Sequence, residues 1–334
     1  MFESANFEAL FSEFRSKKVL IIGDVMIDTY LWGNVGRVSP EAPVPIVSGV
    51  IEENRLGGAA NVALNVKAMG AVPILCSVIG EDFRSKLFLD LIEEQYLTDI
   101  GLVVDGHRVT TQKTRVISGN QHLLRVDEEM DIFLNGRILE QFVELINNLL
   151  DSGGIDAIIM QDYDKGVLAP RVISEVIAMA ERVSVPVLVD PKFRSFELYK
   201  KVKLFKPNYQ ELAEGLNLDI PKHSVDKLSK EALKYLKKKN IETLLLTLSE
   251  HGVLAASKDG YEHIPAISRE ITDVSGAGDT VIAVAALCMI AGMDASQIAA
   301  VSNLAGGLVC EKAGVVPVNA ETLLTECQEH FKSS

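Results

Sequence analysis

The 334 residues carry 46 Asp and Glu against 33 Lys and Arg, a net charge of −13 with a pI near 5.0. That balance argues against nucleic acid as the main partner, and a chain this acidic must gather its cations locally if it binds an anion. A hydrophobic fraction of 48% and a mean hydropathy of +0.19 predict a globular protein with a sizeable core.

The chain opens with Phe7, Leu10, Phe11 and Phe14 at helical spacing, without the basic start and apolar block of a signal peptide. The run Lys18–Gly23 (KVLIIG), ending in Gly-Asp, reads as a buried parallel strand. Similar runs recur at Ala71–Ile79, Asp156–Met160, Val185–Val189 and Thr243–Thr247. Helical patterns alternate with them at Ala59–Met69, Phe83–Glu94, Arg137–Leu150, Arg171–Arg182 and Val225–Lys239. This alternation predicts an α/β fold with a mainly parallel sheet covered by helices on both faces. From Gly276 to about Phe331 the chain reads as almost all helix. The apolar run Val281–Gly292 is too short for a membrane span of ~20 residues, so no membrane partner is expected.

Two segments break the alternation. Residues 29–51 hold three prolines and short extended pieces, and residues 109–126 read as a hairpin with a Ser-Gly-Asn turn. Together they predict a small β lid on a single domain spanning 1–334. Cys76, Cys288, Cys310 and Cys327 form no CxxC pair, so a reducing, cytoplasmic setting fits best.

Four distant features carry chemistry. Asp273-Val274-Ser275-Gly276-Ala277-Gly278-Asp279 is a Gly-rich turn delivering a carboxylate to the start of an apolar helix, where unpaired N–H groups attract anions. A helix cap would explain Asp279 alone, but not two glycines around Ala277. Gly57-Gly58-Ala59-Ala60-Asn61 opens another helix and allows a ligand close to the backbone. Asp24 and Asp28 follow the first strand, where open α/β sheets bind ligands; Asp24 suits a turn cap and Asp28 a sugar-hydroxyl acceptor. Asn208 and Glu211, three apart, fit either a water-mediated Mg²⁺ element or a capping box. A P-loop, a complete dinucleotide fingerprint, paired zinc-binding histidines and a GxSxG frame are all missing from the sequence.

The stretch 57–80, with Asn61, Ala63, Gly70 and Gly80 in step, and the string DVSGAGDTVIAVAA resemble the two signatures of the PfkB/ribokinase family of carbohydrate kinases. Val284 departs from the smaller residue usual there, which bears on helix packing. The strings GDVMIDTYLWG, Arg37–Pro45, Gln161–Gly166 and Asp190-Pro191-Lys192 resemble the branch acting on D-glycero-D-manno-heptose 7-phosphate. In that branch ATP phosphorylates the anomeric hydroxyl to give the 1,7-bisphosphate for ADP-heptose and lipopolysaccharide core synthesis. Bifunctional members add an adenylyltransferase domain with an HxGH motif. The present sequence has no such motif, so the expectation is a separate adenylyltransferase.

The resemblance implies a ribokinase-like three-layer sandwich and a role for each matching residue. Asp279 is the implied base, with the Gly276, Ala277 and Gly278 amides as anion hole. Asp28, Gly57, Gly58 and Asn61 are implied sugar ligands, joined by Asp162 or Tyr163. Asn208 and Glu211 are implied to arrange Mg²⁺, with Lys192 near the phosphates. Thr247, Ser249, Gly252 and Asn303 are implied to line ATP, and Asp273 and Ser275 to belong to a monovalent-cation (K⁺) loop. A homodimer through the lid is also implied. For the sugar phosphate the lid's own residues give candidates: Lys113 and Arg115, two apart on one strand face, and Arg125, with Arg37 and Lys165 beyond them. Alternatives are a family kinase for ribose, fructose or a keto-deoxy sugar acid, or a silent sugar sensor on the same fold.

Overall fold

The computed structural model describes residues 7–119 and 121–331. In chain order the first half comprises α1 (Phe7–Phe14), β1 (Lys18–Gly23), β2 (Val25–Val38), β3 (Pro45–Gly58), α2 (Ala59–Ala68), β4 (Val72–Gly80), α3 (Phe83–Glu94), β5 (Gly101–Asp105), β6 (Gln112–Ser118), β7 (Gln121–Glu128) and α4 (Gly136–Asp151). The second half comprises β8 (Ala157–Gln161), α5 (Pro170–Val183), β9 (Val187–Asp190), β10 (Leu204–Phe205), α6 (Tyr209–Leu216), α7 (Val225–Lys239), β11 (Thr243–Thr247), β12 (Val253–Ser257), β13 (Gly260–Ile264), α8 (Ala277–Ile290), α9 (Ala295–Cys310) and α10 (Ala320–His330).

Nine strands form the main sheet in the order β13-β12-β11-β10-β9-β8-β1-β4-β5. From β11 to β5 every pairing is parallel; β12 and β13 add antiparallel at one edge. The expected alternation produces this layout because each short β-branched run, such as the buried VLIIG of β1, is covered on both faces. One face packs on α2, α8 and α9 through Val62, Ile282 and Leu304. The other packs on α4, α5 and α7 through Phe142, Ile173 and Leu236. Helix α4 shows how: Leu139, Phe142, Val143, Ile146 and Leu150 recur at helical spacing and are buried. Helix α8 is buried all round from Asp279 to Cys288, so its apolar run is core.

A second sheet of four strands, β3-β2-β6-β7, stands apart from the first. Here the prediction of short extended pieces falls short. Strands β2 and β3 are each 14 residues long and pair from Val25–Gly58 out to Val38–Pro45. Prolines 40 and 43 sit in the connection and Pro45 opens β3, positions that need no ladder N–H. Strands β6 and β7 form the expected hairpin, and β6 joins β2 in parallel. Of the Ser-Gly-Asn turn, Asn120 lies outside the described residues. The C-terminal third is less continuous than predicted, with α8 ending at Ile290 and residues 311–319 separating α9 from α10.

Candidate active site

The carboxyl ends of β1, β8, β9, β10 and β11 converge with the N-terminus of α8. Gly276 is the N-cap of α8, with φ 78° and no side-chain cap, so the first-turn amides are capped by no side chain of their own helix. A Cβ there would stand 2.8 Å from Asn61 Nδ2, so the turn needs glycine for both its backbone angle and its neighbour. Of the three anticipated anion-hole amides, that of Ala277 donates to Val274 O at 3.3 Å.

Asp279, in the first turn, is 2% exposed. Its Oδ2 accepts from Asn61 Nδ2 (2.8 Å), and its Oδ1 accepts from Tyr163 Oη (2.7 Å) and Gln161 Nε2 (3.3 Å). Burial pushes its carboxyl up to about 7, against the opposing bonds from Asn61 and Tyr163. A buried carboxyl titrating near neutrality suits a general base.

Beside it lies an ion pair that sequence reading left unassigned. Lys206, 3% exposed, sits 3.0 Å from Asp190, and Gln161 Nε2 bridges from Asp190 (3.1 Å) to Asp279. A Cβ on Gly278 would be 3.6 Å from Lys206 Nζ, so the ammonium lies directly against the Gly276–Asp279 turn. Lys206, Asp190 and Gln161 lie at or just past strand ends, which was the available signal.

Asp24 does more than cap one turn. Its carboxylate accepts from the amides of Tyr163 (2.9 Å), Lys165 (3.1 Å) and Val167 (2.9 Å), folding that loop so that Tyr163 reaches Asp279. Asp162 takes a different direction from its neighbour. It accepts from Tyr199 Oη and Asp164 N, both at 2.8 Å, and burial lifts it to about 7.

At Asn208 and Glu211 the capping arrangement is realised. Asn208 Oδ1 accepts from Glu211 N (2.9 Å) and Glu211 Oε2 from Asn208 N (2.8 Å), while Glu211 Oε1 pairs with Lys192. Lys192 also lies 5.6 Å from the Tyr163 ring centroid. Thr247 bridges to Asn208, placing the ends of β10 and β11 together. Ser249 and Gly252 form the tight connection to β12, and Asn303 donates to Pro265 O at 2.9 Å. Among the described residues no three His, Cys, Asp or Glu side chains group to hold a metal. Asn208 is taken up by the cap, Glu211 by the cap and Lys192, and Asp190 by Lys206 and Gln161, so a Mg²⁺ arriving with phosphates would meet these carboxylates through its water shell. The anticipated K⁺ loop does not fit so well. Asp273 accepts from the amides of Ser275 and Gly314, both at 2.9 Å, and the Ser275 hydroxyl also turns to it.

The small sheet brings its candidate cations together, already paired. Arg115 meets Asp28 at 2.5 Å. Lys113 meets Asp127 (3.0 Å) and Glu129 (2.8 Å), and Lys165 also meets Glu129 (2.8 Å). Arg125 pairs with Asp127 at 2.9 Å and is largely exposed, as is Arg37 on outer β2. Gly57 abuts Asp28 so closely that a Cβ would sit 2.1 Å from Oδ2. Gly58 ends β3 and caps α2, the helix carrying Asn61.

Residues 16–322 match the profile of the pfkB family carbohydrate kinases. The chain belongs to that family. A protein named bifunctional protein HldE from Pelobacter propionicus is 38% identical over 312 residues, 93% of this chain and 63% of that protein's length. This chain therefore spans less than two thirds of that relative. Phosphofructokinase-2 from Escherichia coli, solved in complex with potassium, superposes with a TM-score of 0.75 at 14% identity over 95% of this chain and 99% of that one. Arabidopsis thaliana ribokinase complexed with ribose and ATP gives 0.69 at 16% identity over 92% and 98%. The fold is ribokinase-like and the protein is a carbohydrate kinase. Among the described residues no helix is long and apolar enough to cross a membrane.

Proposed function

We propose that this kinase transfers the γ-phosphoryl group of ATP to the anomeric hydroxyl of D-glycero-D-manno-heptose 7-phosphate, giving the 1,7-bisphosphate. The reading rests above all on Asp279, a buried carboxylate at a helix N-terminus held by Asn61 and Tyr163. The anomeric oxygen attacks the γ-phosphorus, the bond to the β–γ bridging oxygen breaks, and ADP departs. Asp279 accepts the anomeric proton as the new O–P bond forms. The α8 amides and Lys206 offset charge on the transferring group. Asp190 and Glu211 would hold the Mg²⁺, which lowers charge repulsion among the phosphates when bound. Lys192 would sit near the phosphates, while Thr247, Ser249, Gly252 and Asn303 would border the nucleotide.

Asp28, Gly57, Gly58 and Asn61 would hold the sugar. The heptose assignment draws on the SPEAPVP and DYDKG strings and on the similarity to HldE. For the 7-phosphate, Lys113, Arg115, Arg125 and Lys165 are four cations facing three carboxylates, Asp28, Asp127 and Glu129. Arg115 also feels Asp273, so the cluster is balanced, and an incoming phosphate would take over cations now held by carboxylates. The small sheet would act as a lid that excludes water. Its exposed Val38, Ile51, Leu124 and Val126 support pairing with a second copy, which light scattering at micromolar concentration tests: a monomer contradicts it.

Asp279→Asn tests the mechanism. Turnover falls by about 10³-fold or more while ATP binding, read by calorimetry, persists. Near-normal turnover in that variant removes Asp279 as the base.

A further inference from the structure

The loop 313–315 packs against the anion-hole turn, with Val315 Cγ1 3.3 Å from where a Gly276 Cβ would be. It is also tied to Asp273 through Gly314 N. What holds its other side is a side chain from the small sheet. Arg55 on β3 donates through Nη1 to Ala313 O and Val315 O, both at 3.1 Å, and Val315 N donates to Tyr30 Oη at 3.1 Å. Arg55 is fixed in turn by Glu53 at 2.7 Å and by the Tyr30 ring, 5.1 Å from its Cζ. Gly314 has φ +71°, and a Cβ there would lie 2.5 Å from Arg55 Nη1, so the loop approaches the guanidinium as only glycine permits.

We infer that Arg55 is a positioning residue whose guanidinium serves this loop as a built-in cation, in place of a bound monovalent ion, and ties the small sheet to the anion-hole turn. Three observations carry this. The Asp273 carboxylate is satisfied by backbone amides and the Ser275 hydroxyl. The carbonyls flanking Gly314 already face a fixed positive charge. A second cation at those carbonyls would meet that charge at close range. Arg55 also lies opposite Asp28 in the β2–β3 register, so displacement of the small sheet pulls on the loop that abuts Gly276.

The test rests on the kinase reading for its rate measurements but not for its binding measurement. Wild-type ADP release in potassium chloride and in tetramethylammonium chloride, at equal ionic strength, agrees within about twofold, and Tm is the same in both salts. Arg55→Ala lowers kcat by about tenfold or more in tetramethylammonium. Potassium then raises both its rate and its Tm, because an ion now binds the folded form alone. Arg55→Lys recovers part of kcat without potassium. A wild-type rate or Tm that rises strongly with potassium overturns the inference, even if Arg55→Ala fails to fold. So does an Arg55→Ala variant with wild-type kcat, or one whose rate and Tm both ignore potassium. If no sugar is phosphorylated, the kinase reading fails separately, and the Tm comparison still decides the role of Arg55.

Discussion

The carboxyl edge of the main sheet and the small sheet hold charge in opposite ways. At the main edge, Asp279, Asp190 and Lys206 are almost fully buried and joined by the Gln161 amide. Each is positioned by a strand end or a helix cap. On the small sheet, Lys113 and Arg125 reach partly exposed carboxylates from long side chains, joined by Lys165 from the loop after β8. Buried charges in a fixed frame change the chemistry of a bound group, whereas exposed pairs can exchange one anion for another at little cost. Under the proposed function the difference becomes a division of labour, with transfer chemistry on the frame and recognition on the small sheet.

Three substitutions test that division. After the loss of turnover expected for Asp279→Asn, the largest effect is expected at Lys206→Met, which removes the cation against Gly278 and lowers kcat by about 10²-fold with a smaller change in sugar KM. A loss confined to KM would move Lys206 from chemistry to binding. Next, Lys113→Ala raises KM for the phosphorylated sugar about tenfold and leaves kcat nearly intact, because its partners Asp127 and Glu129 keep Arg125 and Lys165. A drop in kcat alone would place the small sheet in the chemical step.

The smallest effect is on stability. The Asp279 carboxyl is raised from its ordinary 3.8 to about 7, chiefly by burial. Between those values the folded chain keeps a proton that the unfolded chain has lost, so stability falls as pH rises through that window. Asp279→Asn removes the penalty, so its Tm should exceed wild type by a few degrees, about 2–4 °C for each kcal/mol, above pH 7 and lose that advantage toward pH 4. An unchanged Tm difference across that range, followed by calorimetry, would show that Asp279 is not held protonated by its surroundings.

Much of the frame was legible in the sequence because it depends on local patterning. Buried parallel strands read as apolar runs, and the Gly276–Asp279 turn announces a helix start. The capping box of Asn208 and Glu211 was also written in its three-residue spacing. The small sheet was harder. Its strands alternate little and contain exposed valines, so β2 and β3 read as fragments when they are 14 residues each. Lys206, Gln161 and Arg55 escaped assignment because their partners lie far along the chain: Arg55 meets carbonyls some 260 residues away. Neither periodicity nor a short motif encodes a contact of that kind. Asp24 was visible, but its grip on the Tyr163 loop was not.

The central claim, a kinase for a phosphorylated heptose, is tested most directly by ADP release with D-glycero-D-manno-heptose 7-phosphate beside the free heptose, ribose, fructose and fructose 6-phosphate. The account predicts a kcat/KM for the heptose 7-phosphate at least about 10²-fold above every other sugar, with loss of the phosphate alone costing most of that margin. Equal use of the unphosphorylated heptose, or a preference for another sugar, would contradict it.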